Sequence, residues 1–81
     1  MEKLKLTSIN VRGLRDEKKR FTIINWLRSK QFDIVLLQET FITEDVKTQI
    51  EKDFYCFGKM FSNCSDSSHS RGVSVIISQT I

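Results

Sequence analysis

Two short apolar segments, each closing on polar residues and joined by a helix-like stretch, restrict the fold of this chain more than any other feature. The first is Leu4 to Val11, followed by Arg12-Gly13-Leu14, and the second is Asp33 to Gln38, followed by Glu39-Thr40. Leu4 and Leu6 fall on one side of the first segment and Ile9 and Val11 on the other, as in a strand covered on both faces. The second is too short for an independent helix and rich in Ile, Val and Leu, which predicts a buried strand. Between them Asp16 and Glu17 supply a helix start, because carboxylates in a first turn accept free amides and complement the helix dipole. A helix running to about Lys30 puts Phe21, Ile24 and Leu27 on one stripe with Ile23 and Trp26 beside it. Lys18, Lys19, Asn25, Arg28 and Ser29 then face water, and the Lys18-Lys19-Arg20 run reads as a solvated first turn.

Strand, helix and strand in this length describe a βαβ unit. With the strands as parallel neighbours, Asn10 and Glu39, 29 residues apart, meet at their carboxyl ends, where open α/β sheets bind ligands. Gly13 provides the sharp turn that follows the first strand. Spacing alone leaves two readings open. In one, Glu39 is the first solvated residue after a buried strand and Asn10 a turn residue. In the other, the carboxylate with its supporting amide forms part of a site for a hard divalent cation, which is commonly held by one or two carboxylates and substrate phosphates.

Further along, Thr43-Glu44-Asp45 is a helix start with Thr43 at the N-cap, and Val46 and Ile50 give a short helix a narrow apolar stripe. Phe54-Tyr55-Cys56-Phe57 and Gly72 to Ser78 are predicted strands, with a serine-rich loop from Ser62 to Arg71 between them. The last strand runs almost to Ile81 with nothing after it. An exposed apolar strand is an aggregation hazard, so the chain is expected to be a truncated one.

At 81 residues, 40% of them apolar, the chain has the makings of one modest core and not the composition of a disordered segment. Thirteen Lys and Arg against ten Asp and Glu give a net +3, which permits a polyanionic partner without requiring one. No stretch has the length of a signal-peptide core or a membrane span, so the expectation is an intracellular, reduced protein with no membrane partner. Two cysteines in that setting are expected as thiols, with Cys56 in the core. Trp26, Phe54, Tyr55 and Phe57 are likewise assigned to the core. Cys64, Asp66 and His69 lack the paired spacing of a zinc site, and His69 is read as a surface residue.

Three stretches, Ser8-Ile9-Asn10-Val11-Arg12-Gly13-Leu14, Asp33 to Thr40 ending in Gln38-Glu39-Thr40, and Arg71 to Ser78, resemble in order and spacing the opening of the endonuclease/exonuclease/phosphatase superfamily. The nearest likeness is to the apurinic-type endonuclease domain of LINE-type, non-LTR retrotransposons. That resemblance implies an α/β chain of order β-α-β-α-β-β, part of a four-layer α/β sandwich in which two mixed sheets pack together under outer helices. It implies that residues 1–81 are the N-terminal part of one such domain, truncated at the C-terminus. Glu39 matches the glutamate that binds the catalytic Mg2+ or Mn2+, and Asn10 the active-site asparagine beside it. Arg12 departs from the aspartate of apurinic endonucleases; an arginine cannot ligate a cation, which leaves it a phosphate contact or a solvent-facing residue. The implied partner is DNA, with no organic cofactor and a nuclear location if the target is chromosomal; oligomeric state is left open. The family's later motifs, Asp-x-Asn and Ser-Asp-His, would lie beyond Ile81, so the 81-residue chain alone is expected to be inert. Phosphatases and exonucleases share the Asn and Glu motifs and remain alternatives, as does a non-catalytic nucleic-acid-binding module.

Overall fold

Residues 3–64 and 72–79 are described in the computed structural model. They form β1 (Leu6–Asn10), α1 (Glu17–Lys30), β2 (Ile34–Gln38), α2 (Glu44–Phe54), β3 (Gly58–Ser62) and β4 (Val73–Ser78). The element order is the β-α-β-α-β-β expected from the resemblance, and the arrangement is that of a partial endonuclease/exonuclease/phosphatase-like α/β fold. Asp16 stands at the N-cap of α1 with extended backbone and accepts the Lys18 N–H at 3.0 Å. Gln31, left-handed at φ 56°, closes the helix by donating its N–H to the Leu27 carbonyl.

The four strands make one mixed sheet in the order β1-β2-β4-β3. β1 and β2 are parallel neighbours, as the βαβ reading requires, and Asn10 pairs with Gln38 at their common end. β4 runs antiparallel to both β2 and β3. Ile24 and Leu27 of α1, Ile50 and Phe54 of α2, Val35 and Leu37 of β2, Met60 of β3 and Ile76 of β4 all share one buried cluster. Both helices therefore cover the same face of the sheet. Alternation along the strands sends Leu6, Ile34, Leu36, Phe61, Val73, Val75 and Ile77 to the opposite face, where they stay exposed or half-buried. The described residues thus form two layers, helices and sheet, with an open apolar sheet face.

Several expectations change. β1 is an edge strand covered on one face only, which leaves Leu4 and Leu6 exposed. Phe54 to Phe57 is not a strand: Phe54 ends α2, Tyr55 to Phe57 form the turn, and β3 begins at Gly58. Aromatic β-propensity there is overridden by burial of Phe54 and Phe57 under the helix layer, while Tyr55 points to solvent. The next strand starts where a side chain cannot go, since a Cβ on Gly58 would lie 2.1 Å from the Ile77 carbonyl oxygen. On α1 the buried stripe is Arg20, Ile24 and Leu27, and Phe21 and Trp26 are exposed; Trp26 rests on Phe32, with ring centroids 5.5 Å apart. Arg20 has left the solvated turn assigned to it. β4 lies inside the sheet, paired on both sides, while its Val73 and Ile77 stay exposed on the open face.

Both cysteines are free thiols, as expected, but Cys56 is not in the core. Cys56 is exposed in the turn after α2, and Cys64 packs against the core, where burial first and then the Glu44 carboxylate push its thiol up from the usual range. Iodoacetamide on the native chain is expected to alkylate Cys56 and spare Cys64. Peptide mass spectrometry reads this directly, and equal labelling of the two would contradict the placement. Asp66 and His69 lie outside the described residues.

Candidate active site

The parallel ladder between β1 and β2 continues past the strand ends. Val11 N–H donates to the Gln38 carbonyl at 2.9 Å, Gly13 N–H to that of Glu39 at 2.6 Å and Leu14 N–H to that of Thr40 at 3.0 Å. The two loops are therefore zipped together by backbone, and the side chains that start them are brought face to face. Asn10 Nδ2 donates to Glu39 Oε2 at 2.5 Å, and Asn10 Oδ1 accepts the Arg12 N–H at 3.2 Å. The amide has one orientation that serves both neighbours, because a carboxylate only accepts and a backbone N–H only donates. Gln38 adds a second tie, with Nε2 donating to Ser8 Oγ at 2.8 Å.

This region carries unusual backbone. Arg12 (φ 50°), Glu39 (φ 56°) and Phe41 (φ 55°) are left-handed although none is glycine, and among the described residues Gln31, a helix cap, is the one other case. Such conformations cost about 1–3 kcal/mol each and persist where the surrounding structure imposes them. Gly13, at φ 97°, occupies the same turn, and a Cβ on it would meet the Phe41 ring at 3.1 Å. Thr40, between the two left-handed residues, is fully buried; its N–H donates to the Gly72 carbonyl at 3.1 Å, and its hydroxyl has no hydrogen-bond partner among the described residues.

Glu39 and Asn10 are exposed, and the second carboxylate oxygen of Glu39 has no partner among the described residues. A hard oxygen donor, held by an amide and open to solvent, fits a divalent ion that keeps most of its other positions for water or phosphate. Among the described residues no group of three or more His, Cys, Asp and Glu is placed to hold an ion. Arg12 is exposed and its guanidinium is likewise unpaired, while its carbonyl accepts Lys19 Nζ at 3.1 Å. Beyond the rim, Arg15 donates to Thr43 Oγ1 at 2.9 Å, and the Thr43 hydroxyl, aided by Arg15, holds the Asp45 carboxyl below its usual range. Thr43 sits at the N-cap of α2, but its hydroxyl is engaged with Asp45 and caps no amide.

The sequence reading missed Arg20. Its guanidinium is buried below the Arg12 loop and bound to Asp53 of α2 and to the carbonyls of Leu14 and Arg15. The signal was present: Arg20, Ile24 and Leu27 fall at i, i+4 and i+7 on one helix face.

No protein-family model and no curated protein sequence matches the chain. Among solved structures it is similar to an AP endonuclease from Archaeoglobus fulgidus, with a TM-score of 0.71 and 27% sequence identity over 93% of this chain. The chain spans 27% of the length of that protein.

Proposed function

We propose that this chain is the N-terminal part, residues 1–81, of a divalent-metal-dependent DNA endonuclease domain of the retrotransposon type. The observation that carries the reading is the Asn10–Glu39 hydrogen bond at the joined ends of β1 and β2, in a fold similar to an AP endonuclease. In this reading the open oxygen of Glu39 holds Mg2+ or Mn2+. Such an ion, when bound, supplies positive charge against the charge that builds on a phosphodiester during hydrolysis. Asn10 donates its side-chain N–H to the Glu39 carboxylate, and in this reading its part is to orient that carboxylate. Arg12, where apurinic endonucleases carry an aspartate, offers its unpaired guanidinium to a DNA phosphate. If the target is chromosomal DNA, the enzyme works in the nucleus.

One carboxylate holds a cation weakly, and the described residues of the site include no general base. The 81-residue chain is therefore expected to bind Mn2+ without cutting DNA. Free Mn2+ measured by electron paramagnetic resonance should show binding that falls at least about tenfold in Glu39→Gln. Undiminished binding in that variant would remove Glu39 as the ligand. Supercoiled plasmid with Mg2+ should stay intact; nicking by the purified chain, abolished by Glu39→Ala, would overturn the expected inertness while supporting the site.

A further inference from the structure

We propose that the buried Arg20–Asp53 pair is a positioning device for the Asn10–Glu39 site, acting through the backbone of Leu14. Arg20 is 5% exposed, and its Nε and Nη2 both reach Asp53 Oδ2 at 2.8 Å. Its Nη1 donates to the carbonyls of Leu14 at 3.0 Å and Arg15 at 2.9 Å. Asp53 Oδ1 is taken by Gln49 Nε2 at 2.9 Å, so both carboxylate oxygens are occupied. Leu14 is thus held from two sides: its carbonyl by Arg20 and its N–H by the Thr40 carbonyl. One residue earlier, Gly13 N–H grips the Glu39 carbonyl and so fixes the left-handed backbone from which the Glu39 carboxylate projects to Asn10.

The chemistry of the pair argues for geometry over stability. A buried ion pair gives little net stability relative to apolar residues of similar volume, because desolvation offsets its Coulomb attraction. What apolar residues cannot do is hold two carbonyls in place, and a planar fork with several rigid donors can. The carbonyls it holds belong to the loop that ends at the site. Arg20 touches neither the Glu39 carboxylate nor the Asn10 amide, so its role is to position.

The part of this proposal that concerns the metal rests on the function proposed above; the part that concerns Asn10 does not. The test uses the 81-residue chain labelled with 15N and follows the Asn10 side-chain amide, assigned through Asn10→Asp. In the wild type this resonance should change on Glu39→Gln, reporting the hydrogen bond between the two. In Arg20→Met/Asp53→Leu, which replaces the pair by apolar volume, the chain should regain thermal stability relative to Arg20→Met alone. The Asn10 amide should nevertheless move to a solvent-exchanging position, and Mn2+ affinity should fall about tenfold. Arg20→Lys, which keeps the charge but loses the fork, should shift the amide in the same direction and serves if the double variant does not fold. Ile76→Val, a core change on β4, should lower stability and leave the amide where it was. An unshifted Asn10 amide in the double variant, or in Arg20→Lys where that stands in for it, would reduce the pair to a structural role and sink the proposal. Should the wild type bind no Mn2+, the metal reading fails, and the Asn10 resonance still decides the positioning.

Discussion

Arg20→Met is expected to lose about 3–5 kcal/mol of folding stability, measured by urea denaturation followed by circular dichroism. Removing one member of a buried pair leaves the other uncompensated, and the Asp53 side chain is only 10% exposed. Gln49 continues to satisfy one of its oxygens, but the other loses both of its donors, and the carbonyls of Leu14 and Arg15 lose theirs. A domain of 81 residues has a total stability of about 4–12 kcal/mol, so this single change takes away a large share of it. A loss under about 1 kcal/mol would mean that water reaches Asp53 in the variant and that the pair is not buried in solution.

Phe54→Ala is expected to have a comparable effect, about 3–5 kcal/mol, because a fully buried aromatic side chain leaves a cavity that its neighbours fill only in part. Phe54 closes α2 and joins Ile50, Phe57 and Met60 in the core. Its neighbour Tyr55, 64% exposed, provides the contrast: Tyr55→Ala should change stability by less than about 0.5 kcal/mol. The two variants together test where the helix ends. A strand over 54–57 would alternate its faces, placing Phe54 and Cys56 on one side and Tyr55 and Phe57 on the other. In the structure Phe54 and Phe57 are buried while Tyr55 and Cys56 are not, so a larger loss from Tyr55→Ala would return these residues to a strand.

The β1-α1-β2 unit was legible because its signals are local. Asp16 caps α1, the apolar run 34–37 is short and β-branched, and the polar ends that follow are placed together once the strands are parallel. Asn10 and Glu39 therefore met where their spacing said they would. Arg20 was misread because its charge was weighed and its helix position was not; the partner that makes its burial tolerable, Asp53, is 33 residues away. The aromatic run at 54–57 carried strand propensity, yet which of its side chains would be covered depended on α2 and β3 packing together. Exposure of Cys56, expected in the core, follows from the same shift of β3 to Gly58. Coverage of the sheet on one face was also beyond sequence reading, since the apolar content of β1 and β4 is the same whether or not a layer lies over them.

The place of β4 sets an order on assembly. Among the described strands it comes last in sequence, and it lies between β2 and β3, bonded to both. A chain emerging from the ribosome can pair β1 with β2 early, across one helix, but β3 has no neighbour to bond until residues 73–78 follow it out. Through that interval the inner edge of β2 is unpaired and Met60 has no Ile76 opposite it. Joining of β2 to β3 thus waits for residues 73–78, and a ribosome stalled before Val73 would hold both strands without the one that bonds them.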